Sequence, residues 1–295
     1  MHYNNYILVI GESVRRDYMG VYGFKINNTP FLSKSNGIFF ENYTSASFGT
    51  VLSLTNSLLY NNKGDLEFNN NIIRLAKSAG LYTYWISNQG RFGIHDGPIA
   101  AIGKEADYFY FIKNGDSNDN KILPDEAVLP KISSALKTEV NKLVVVHLMG
   151  SHPDPCVRTG GHFNWWYHNK NKSCYIQSIR NTDRLLEEIT KLARSQNNNW
   201  TILYFADHGL SQDKKDGNLK HSDEFKENFM PPLVIINSDF NKKIRVTALR
   251  TGMDFIKMFA QWIGIEDNKT LSQCNYLSNE ICYKDVNVID KTGFY

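Results

Sequence analysis

The 295-residue sequence lacks the features that would place it in several large classes of protein. No apolar run approaches the roughly 18 residues that a membrane-spanning helix needs. Met1-His2-Tyr3-Asn4-Asn5 carries no secretory signal and leads almost at once into a candidate core strand. An entry that abrupt is expected of a domain cut from a longer protein. Basic runs and interleaved aromatic and basic residues are missing. With 33 basic against 30 acidic residues the net charge is only +3, so nucleic acid is not an expected partner. There are only four cysteines, and none stands in the tight C-x2-C spacing of a zinc ribbon. Internal repeats, low-complexity segments and clear linkers are absent too, which leaves one domain as the simplest organisation.

What is present is ordinary globular material. Hydrophobic residues make up 42% and charged residues 21%, enough apolar mass for a sizeable core. The cysteines fall into two local pairs in polar, loop-like sequence, Cys156 with Cys174 and Cys274 with Cys282. Loop-closing disulfides in an oxidising compartment are the expectation.

One stretch organises the rest. Thr201-Ile202-Leu203-Tyr204-Phe205-Ala206 reads as a buried strand and stops at Asp207-His208-Gly209. In an open α/β sheet, side chains just past the carboxyl end of a parallel strand project into the crevice where ligands bind. Gly209 is expected to let the chain turn sharply there. A lone Asp-His-Gly is commonly just a polar turn. Tyr6-Ile7-Leu8-Val9-Ile10, however, is a second such strand, ending in Gly11-Glu12-Ser13. Two buried strands that deliver a carboxylate to the same edge favour a metal site.

Further along, Asn28-Thr29-Pro30-Phe31-Leu32 predicts a helix start, with Thr29 as N-cap and Pro30 in the first turn. A strand is expected over 38–43. The spacing of Val51, Leu54 and Leu58 fits a helix face with Thr50 at its first turn. Backbone N–H groups and the helix dipole there favour an anion, although on this stretch alone Thr50 reads first as an N-cap. Helices are expected over 70–79, closed by Gly80, over 126–136, over 175–194 and over 251–263. A short helix through Ala101 is expected to be capped by Asp96. Strands are expected over 81–86, 107–112, 142–148 and 231–236. Asp116 to Lys121 reads as a polar loop, 153–173 as an irregular insertion without helical period, and 211–229 as polar sequence containing His221. Alternation of this kind predicts an α/β fold, a mainly parallel central sheet with helices on both faces.

Glu12, Asp207 and His208 form a plausible zinc ligand set with a fourth position open, which the Thr50 hydroxyl could fill. Bound metal turns an inert alcohol into a nucleophile near neutral pH. His152 follows the strand over 142–148, and His221 lies in the polar stretch. Each could hold a second metal, contact a phosphoryl oxygen or protonate a leaving group, or be a loop histidine satisfied locally. His147 is expected to be buried in the core, and His95, His162 and His168 carry weaker signals.

Five motifs in order resemble the phosphoethanolamine transferases, bacterial inner-membrane enzymes whose periplasmic domain has the alkaline phosphatase/sulfatase fold. The motifs are Gly11-Glu12-Ser13-Val14-Arg15-Arg16-Asp17, Asn28-Thr29-Pro30-Phe31-Leu32, Trp85-Ile86-Ser87-Asn88-Gln89-Gly90, His147-Leu148-Met149-Gly150-Ser151-His152 and Asp207-His208-Gly209. The resemblance covers essentially the whole chain. It implies a single periplasmic catalytic domain over 1–295, with the N-terminal transmembrane region absent from this chain. It implies zinc, one ion tightly bound with room for a second, held by residues matching Glu12, Thr50, Asp207 and His208. Thr50 would attack phosphatidylethanolamine, release diacylglycerol and pass phosphoethanolamine to an envelope glycan, either lipopolysaccharide or periplasmic glucan. Asn88, His152 and His221 match positions that contact substrate or an additional zinc, and a monomer is expected.

The chain also departs from that pattern. Many relatives carry Gly-Thr-Ser-Thr and a disulfide at the nucleophile, where this sequence has Ser47-Phe48-Gly49-Thr50 without cysteine. Placing the nucleophile at Thr50 therefore rests on spacing, with Thr44 and Thr55 as alternatives. Relatives often continue Asp-His-Gly with Glu-Ser-Leu-Gly-Glu, whereas here Leu210-Ser211-Gln212-Asp213 follows. The insertion around Trp165-Trp166 is this chain's own and could shape the acceptor side. A sulfatase would need Cys or Ser in a C/S-x-P-x-R run, and there is none. A phosphoglycerol transferase on the same fold and a non-catalytic envelope-binding domain are the other readings.

Overall fold

A computed structural model describes residues 2–62, 65–92, 97–115, 123–290 and 293–294. Its centre is an eight-stranded sheet: β1 (Asn5–Gly11), β2 (Gly37–Phe40), β3 (Tyr82–Gly90), β4 (Tyr108–Lys113), β5 (Lys142–His147), β6 (Trp200–Ala206), β7 (Leu233–Asn237) and β8 (Lys243–Val246). Across the sheet the order is β8-β2-β7-β6-β1-β5-β3-β4. Only β7 runs against its neighbours; the other pairings are parallel. β1 lies between β5 and β6, with Ile10 opposite both His147 and Phe205. The three strands that lead to candidate site residues therefore end side by side.

Helices cover both faces: α1 (Pro30–Lys34), α2 (Thr50–Leu58), α3 (Ile72–Ser78), α4 (Gly97–Lys104), α5 (Leu129–Leu136), α6 (Pro155–Arg158), α7 (Lys170–Arg194) and α8 (Phe255–Ile263). Because strand side chains alternate, β1 divides its residues between two cores. Tyr6, Leu8 and Ile10 pack with Leu54, Leu58, Ile72, Phe255 and Phe259 of α2, α3 and α8. Ile7 and Val9 pack with Ile132, Tyr175, Ile179 and Leu186 of α5 and α7. Burying each such aliphatic side chain contributes about 1.5–3 kcal/mol. Thr201, the one polar residue of the β6 pattern, is satisfied in the core: its hydroxyl accepts from the Trp262 indole N–H at 2.9 Å.

Several expectations shift in position. The helix expected over 70–79 is shorter, because Leu59–Asn62 and Asp65–Asn71 pair as an antiparallel hairpin and Asn71 caps α3 by accepting from Ile73 N and Arg74 N. The expected capping by Thr29 does not occur. Its hydroxyl accepts from Val21 N, and the N–H groups of Phe31 and Leu32 go instead to the Asp183 carboxylate of α7 at 2.9 and 3.0 Å. α7 begins at Lys170, inside the supposed irregular insertion, because Asn169 caps it through Lys172 N. The same insertion holds α6, capped by Asp154. The closing helix starts later than expected, after a 3-10 turn at Gly252–Asp254. Asp96 and the loop 116–121 lie outside the described residues. Both expected cysteine pairs are joined, Cys156 to Cys174 and Cys274 to Cys282. No helix among the described residues is long and apolar enough to cross a membrane.

Candidate metal centre and nucleophile

β1 and β6 end at the same edge, and their next residues turn toward one another. Glu12, Asp207 and His208 each offer a ligand atom within 4.8 Å of the others, the only such group found among the described residues. All three are buried to 1% exposure or less. Glu12 Oε1 accepts from Ser13 Oγ at 2.6 Å, and the backbone fixes the other two side chains. Asp207 Oδ1 accepts from Ser13 N at 2.9 Å and His208 N at 2.8 Å. His208 Nδ1 lies 2.7 Å from Gly209 O. A carbonyl only accepts, so Nδ1 carries the hydrogen and Nε2 is left as a lone pair. That lone pair faces Asp207 Oδ2 at 3.4 Å and Glu12 Oε1 at 3.5 Å.

Three electron-rich atoms converge, and Asp207 Oδ2 is buried without a hydrogen-bond partner. Burial, reinforced by the Glu12 charge, pushes the Asp207 carboxyl up to about 7. Burial raises Glu12 as well, against hydrogen bonds from Ser13 Oγ and Thr50 Oγ1. Two buried carboxylates destabilise one another unless a positive charge sits among them. The donor set, oxygen and nitrogen with one position open, fits a divalent ion of the zinc type.

Thr50 completes the corner. α2 begins at Thr50 itself, with Gly49 in extended conformation before it and no side-chain cap, so the N-cap reading of Thr50 does not hold. Thr50 Oγ1 donates to Glu12 Oε2 at 3.0 Å and lies 3.4 Å from His208 Nε2. The alternatives are placed differently. Thr55 Oγ1 is turned back to Val51 O at 2.7 Å within the helix, and Thr44 lies in a short strand paired with Thr251. Ser53 Oγ, one turn on, donates to Asp207 O at 2.5 Å and ties α2 to the end of β6.

The corner opens into a cleft of about 580 Å³ whose lining includes Thr50, Phe48, Ile99, Phe111, His152 and His221. The His221 ring centre is 4.8 Å from that of His208 and 6.2 Å from that of His152. Burial holds His152 below the usual histidine range. Burial first, then His208 and His152, bring His221 down to about 3. Both are neutral near pH 7. His152 Nδ1 donates to Pro153 O at 2.6 Å, which leaves its Nε2 as the basic atom. His147 is buried as expected, yet it also lines the cleft.

Asn88 is not brought to the cleft lining. It is fully buried, and its amide donates to Leu123 O at 3.0 Å and Asp125 Oδ1 at 2.8 Å. Sequence reasoning missed Asp125, which also accepts from Met149 N at 2.9 Å and Gly150 N at 2.8 Å. It fixes the turn whose Gly150, at φ +48°, lies so close to the Glu12 backbone that a Cβ would meet it at 2.9 Å. No local signal marks an aspartate 25 positions away as the support of that turn. Tyr175 was missed too; its hydroxyl donates to Ser13 O at 2.7 Å and accepts from Arg15 N at 2.8 Å. Gly209 has its reason in packing rather than turning, since a Cβ there would strike the carbonyl of Glu227.

The family model described as sulfatase matches residues 4–265. The chain is 39% identical over 269 residues to the phosphoethanolamine transferase OpgE of Escherichia coli, covering 90% of this chain and 51% of that protein. It is 34% identical over 231 residues to a putative phosphoethanolamine transferase of Haemophilus influenzae, covering 72% and 47%. It thus spans about half the length of these curated relatives. Among solved structures, the zinc complex of the C-terminal periplasmic domain of Escherichia coli EptC superposes with a TM-score of 0.84. That match has 19% identity and covers 100% of this chain and 92% of that one.

Proposed function

The chain belongs to the sulfatase family, and on that premise we propose that it transfers phosphoethanolamine from phosphatidylethanolamine, through Thr50, to a glycan of the bacterial cell envelope. The observation that carries this reading is the Thr50 hydroxyl at the cleft, 3.0 Å from Glu12 Oε2 and 3.4 Å from His208 Nε2. Relatives named phosphoethanolamine transferase support the group transferred. The proposed setting is the periplasm, with the donor drawn from the inner membrane.

Zinc is the ion proposed for Glu12, Asp207 and His208, with Thr50 at the open position. When bound, it would stabilise the alkoxide of the nucleophile and the charge growing on phosphorus. The protein's own part begins with the Thr50–Glu12 hydrogen bond. Glu12, whose Oε2 accepts that bond, is placed to take the hydroxyl hydrogen as Oγ1 attacks phosphorus. That proton balances the one the departing diacylglycerol oxygen requires. The uncapped first turn of α2 offers N–H groups to the phosphoryl oxygens. In the second half reaction, the acceptor hydroxyl attacks phosphorus and gives its proton to His152 Nε2, the phosphorus–Oγ1 bond breaks, and that proton returns to the departing Thr50 oxygen. The expected product of the first half is a phosphoethanolamine-threonine enzyme.

The test is mass spectrometry of the zinc-loaded chain after incubation with phosphatidylethanolamine. One phosphoethanolamine on the peptide containing Thr50, absent in Thr50→Ala, is expected. Unmodified protein with its zinc in place would overturn the reading. Phosphoethanolamine content of lipopolysaccharide and periplasmic glucan in a deletion strain identifies the acceptor, and loss from neither would exclude both.

A further inference from the structure

Thr50 is reached through the loop 43–49, which no cysteine flanks. Ser45, Ala46 and Ser47 in that loop are nevertheless fully buried. On one side, Arg250–Thr251 pairs with Tyr43–Thr44 as a short parallel ladder. The following Gly252 presses so closely that an added Cβ would lie 2.6 Å from Ala46 N. On the other side stands Ile289, close to the end of the chain. Ile289 N donates to Ala46 O at 2.8 Å, and Ser47 Oγ donates to Ile289 O at 2.6 Å. The loop is thus held between two segments that follow the last sheet strand.

The segment leading to Ile289 is itself tied down. Cys274–Cys282 closes a short loop, and Arg250 reaches into it, completely buried. Its guanidinium donates to Tyr276 O at 2.6 Å, Ser278 O at 2.6 Å, Glu280 O at 3.0 Å and Leu249 O at 2.6 Å. Asn279 adds a bond from the same loop, accepting from Thr247 N at 2.6 Å. No carboxylate is among these partners of Arg250. A buried guanidinium satisfied by neutral carbonyls is an expensive arrangement, and its geometry fixes where those carbonyls lie. Through its backbone Arg250 holds the Thr50 loop, and through its side chain it holds the disulfide loop.

We propose that residues 274–290 form a positioning strap for the nucleophile. Ile289 and Ser47 are positioning residues: they touch no reacting atom but fix the loop that sets the Thr50 hydroxyl against Glu12. This rests on the reading of Thr50 as the nucleophile. A displacement of about 1 Å at a reacting atom can cost on the order of a hundredfold in rate, so two hydrogen bonds at the loop can govern turnover.

Two variants test it, each removing one bond. Ser47→Ala deletes the hydroxyl, and Ile289→Pro deletes the N–H. Hydrogen exchange and phosphothreonine formation are measured on zinc-loaded protein. In both variants the amides of 46–50 are expected to exchange about tenfold faster, and phosphothreonine to form about ten- to a hundredfold more slowly. Zinc content, melting temperature and KM for the donor stay near wild type, and Ser47→Thr, which keeps the hydroxyl, restores both rates. Unchanged exchange at 46–50 overturns the strap, as does slowing that merely follows lost zinc or lost global stability. Faster exchange in the variants, with no adduct even in the wild type, sinks the nucleophile reading alone and supports the strap as a tie.

Discussion

Two sets of side chains meet in the cleft, and the chain holds them differently. Glu12, Asp207 and His208 each follow a parallel core strand by one or two residues and are entirely buried; backbone groups fix Asp207 and His208, and the Ser13 hydroxyl holds Glu12. His152 and His221 stand on loops; His221 is exposed as a residue, although its ring is packed inward against His208. The corner is tied to the ends of the sheet strands, while the rim residues are carried by loops that pack against it. We read the corner as the place where metal and nucleophile are set, and the rim as the part that meets the acceptor.

The largest effect expected is at the corner. Asp207→Asn keeps an oxygen for Ser13 N and His208 N but turns an amide toward the ligand atoms. Metal analysis after dialysis should show most zinc lost, and phosphothreonine formation should fall about a thousandfold or more. Full zinc occupancy in this variant would break the comparison at the corner. His221→Ala should be milder and of another kind. The corner zinc stays, while transfer to the acceptor falls about a hundredfold, because the ring that packs beside His208 and His152 no longer positions the His152 base. Were the corner zinc lost along with activity, His221 would belong to the metal set and the division between corner and rim would fail.

The same division explains what could be read from the sequence. β1 and β6 are short apolar runs that stop at acidic residues, and burial on both faces makes such runs legible. Their ends are therefore legible in the sequence, and with them the positions of Glu12, Asp207 and His208. Thr50 was legible by helical spacing, though its contact with Glu12 depends on how α2 sits against β1. The supports were not legible. Asp125, Tyr175 and Asp183 act through partners 25, 160 or more, and about 150 positions away. A side chain that satisfies a distant backbone group leaves no periodic trace. The Thr29 cap failed for that reason, since a carboxylate from α7 had already taken the N–H groups a cap would serve. Asn88 sits in a motif with Gln89, but the two diverge: Gln89 lines the cleft and Asn88 points to Asp125.

Asp183 gives the smallest effect and the one whose sign is least obvious. It lies on the core side of α7, 2% exposed, and accepts the first N–H groups of α1. Those donors and the helix dipole favour its charged form, but burial outweighs them and raises its carboxyl to about 6 from the ordinary 3.8. The native state therefore binds this proton more readily than the unfolded chain does. Stability from this group is highest below about pH 4, declines as pH rises toward 6 and stays reduced above it, a change on the order of 2–3 kcal/mol. Asp183→Asn removes the titration while keeping one oxygen for the helix. Urea unfolding of both proteins at matched pH cancels every group they share. The stability of wild type over Asp183→Asn should be greatest near pH 4 and shrink as pH approaches 7. A gap that instead widened with pH would mean that the bond from the charge to α1 outweighs its burial. The tie between α1 and α7 would then be an ion-stabilised anchor, held as firmly as the corner itself.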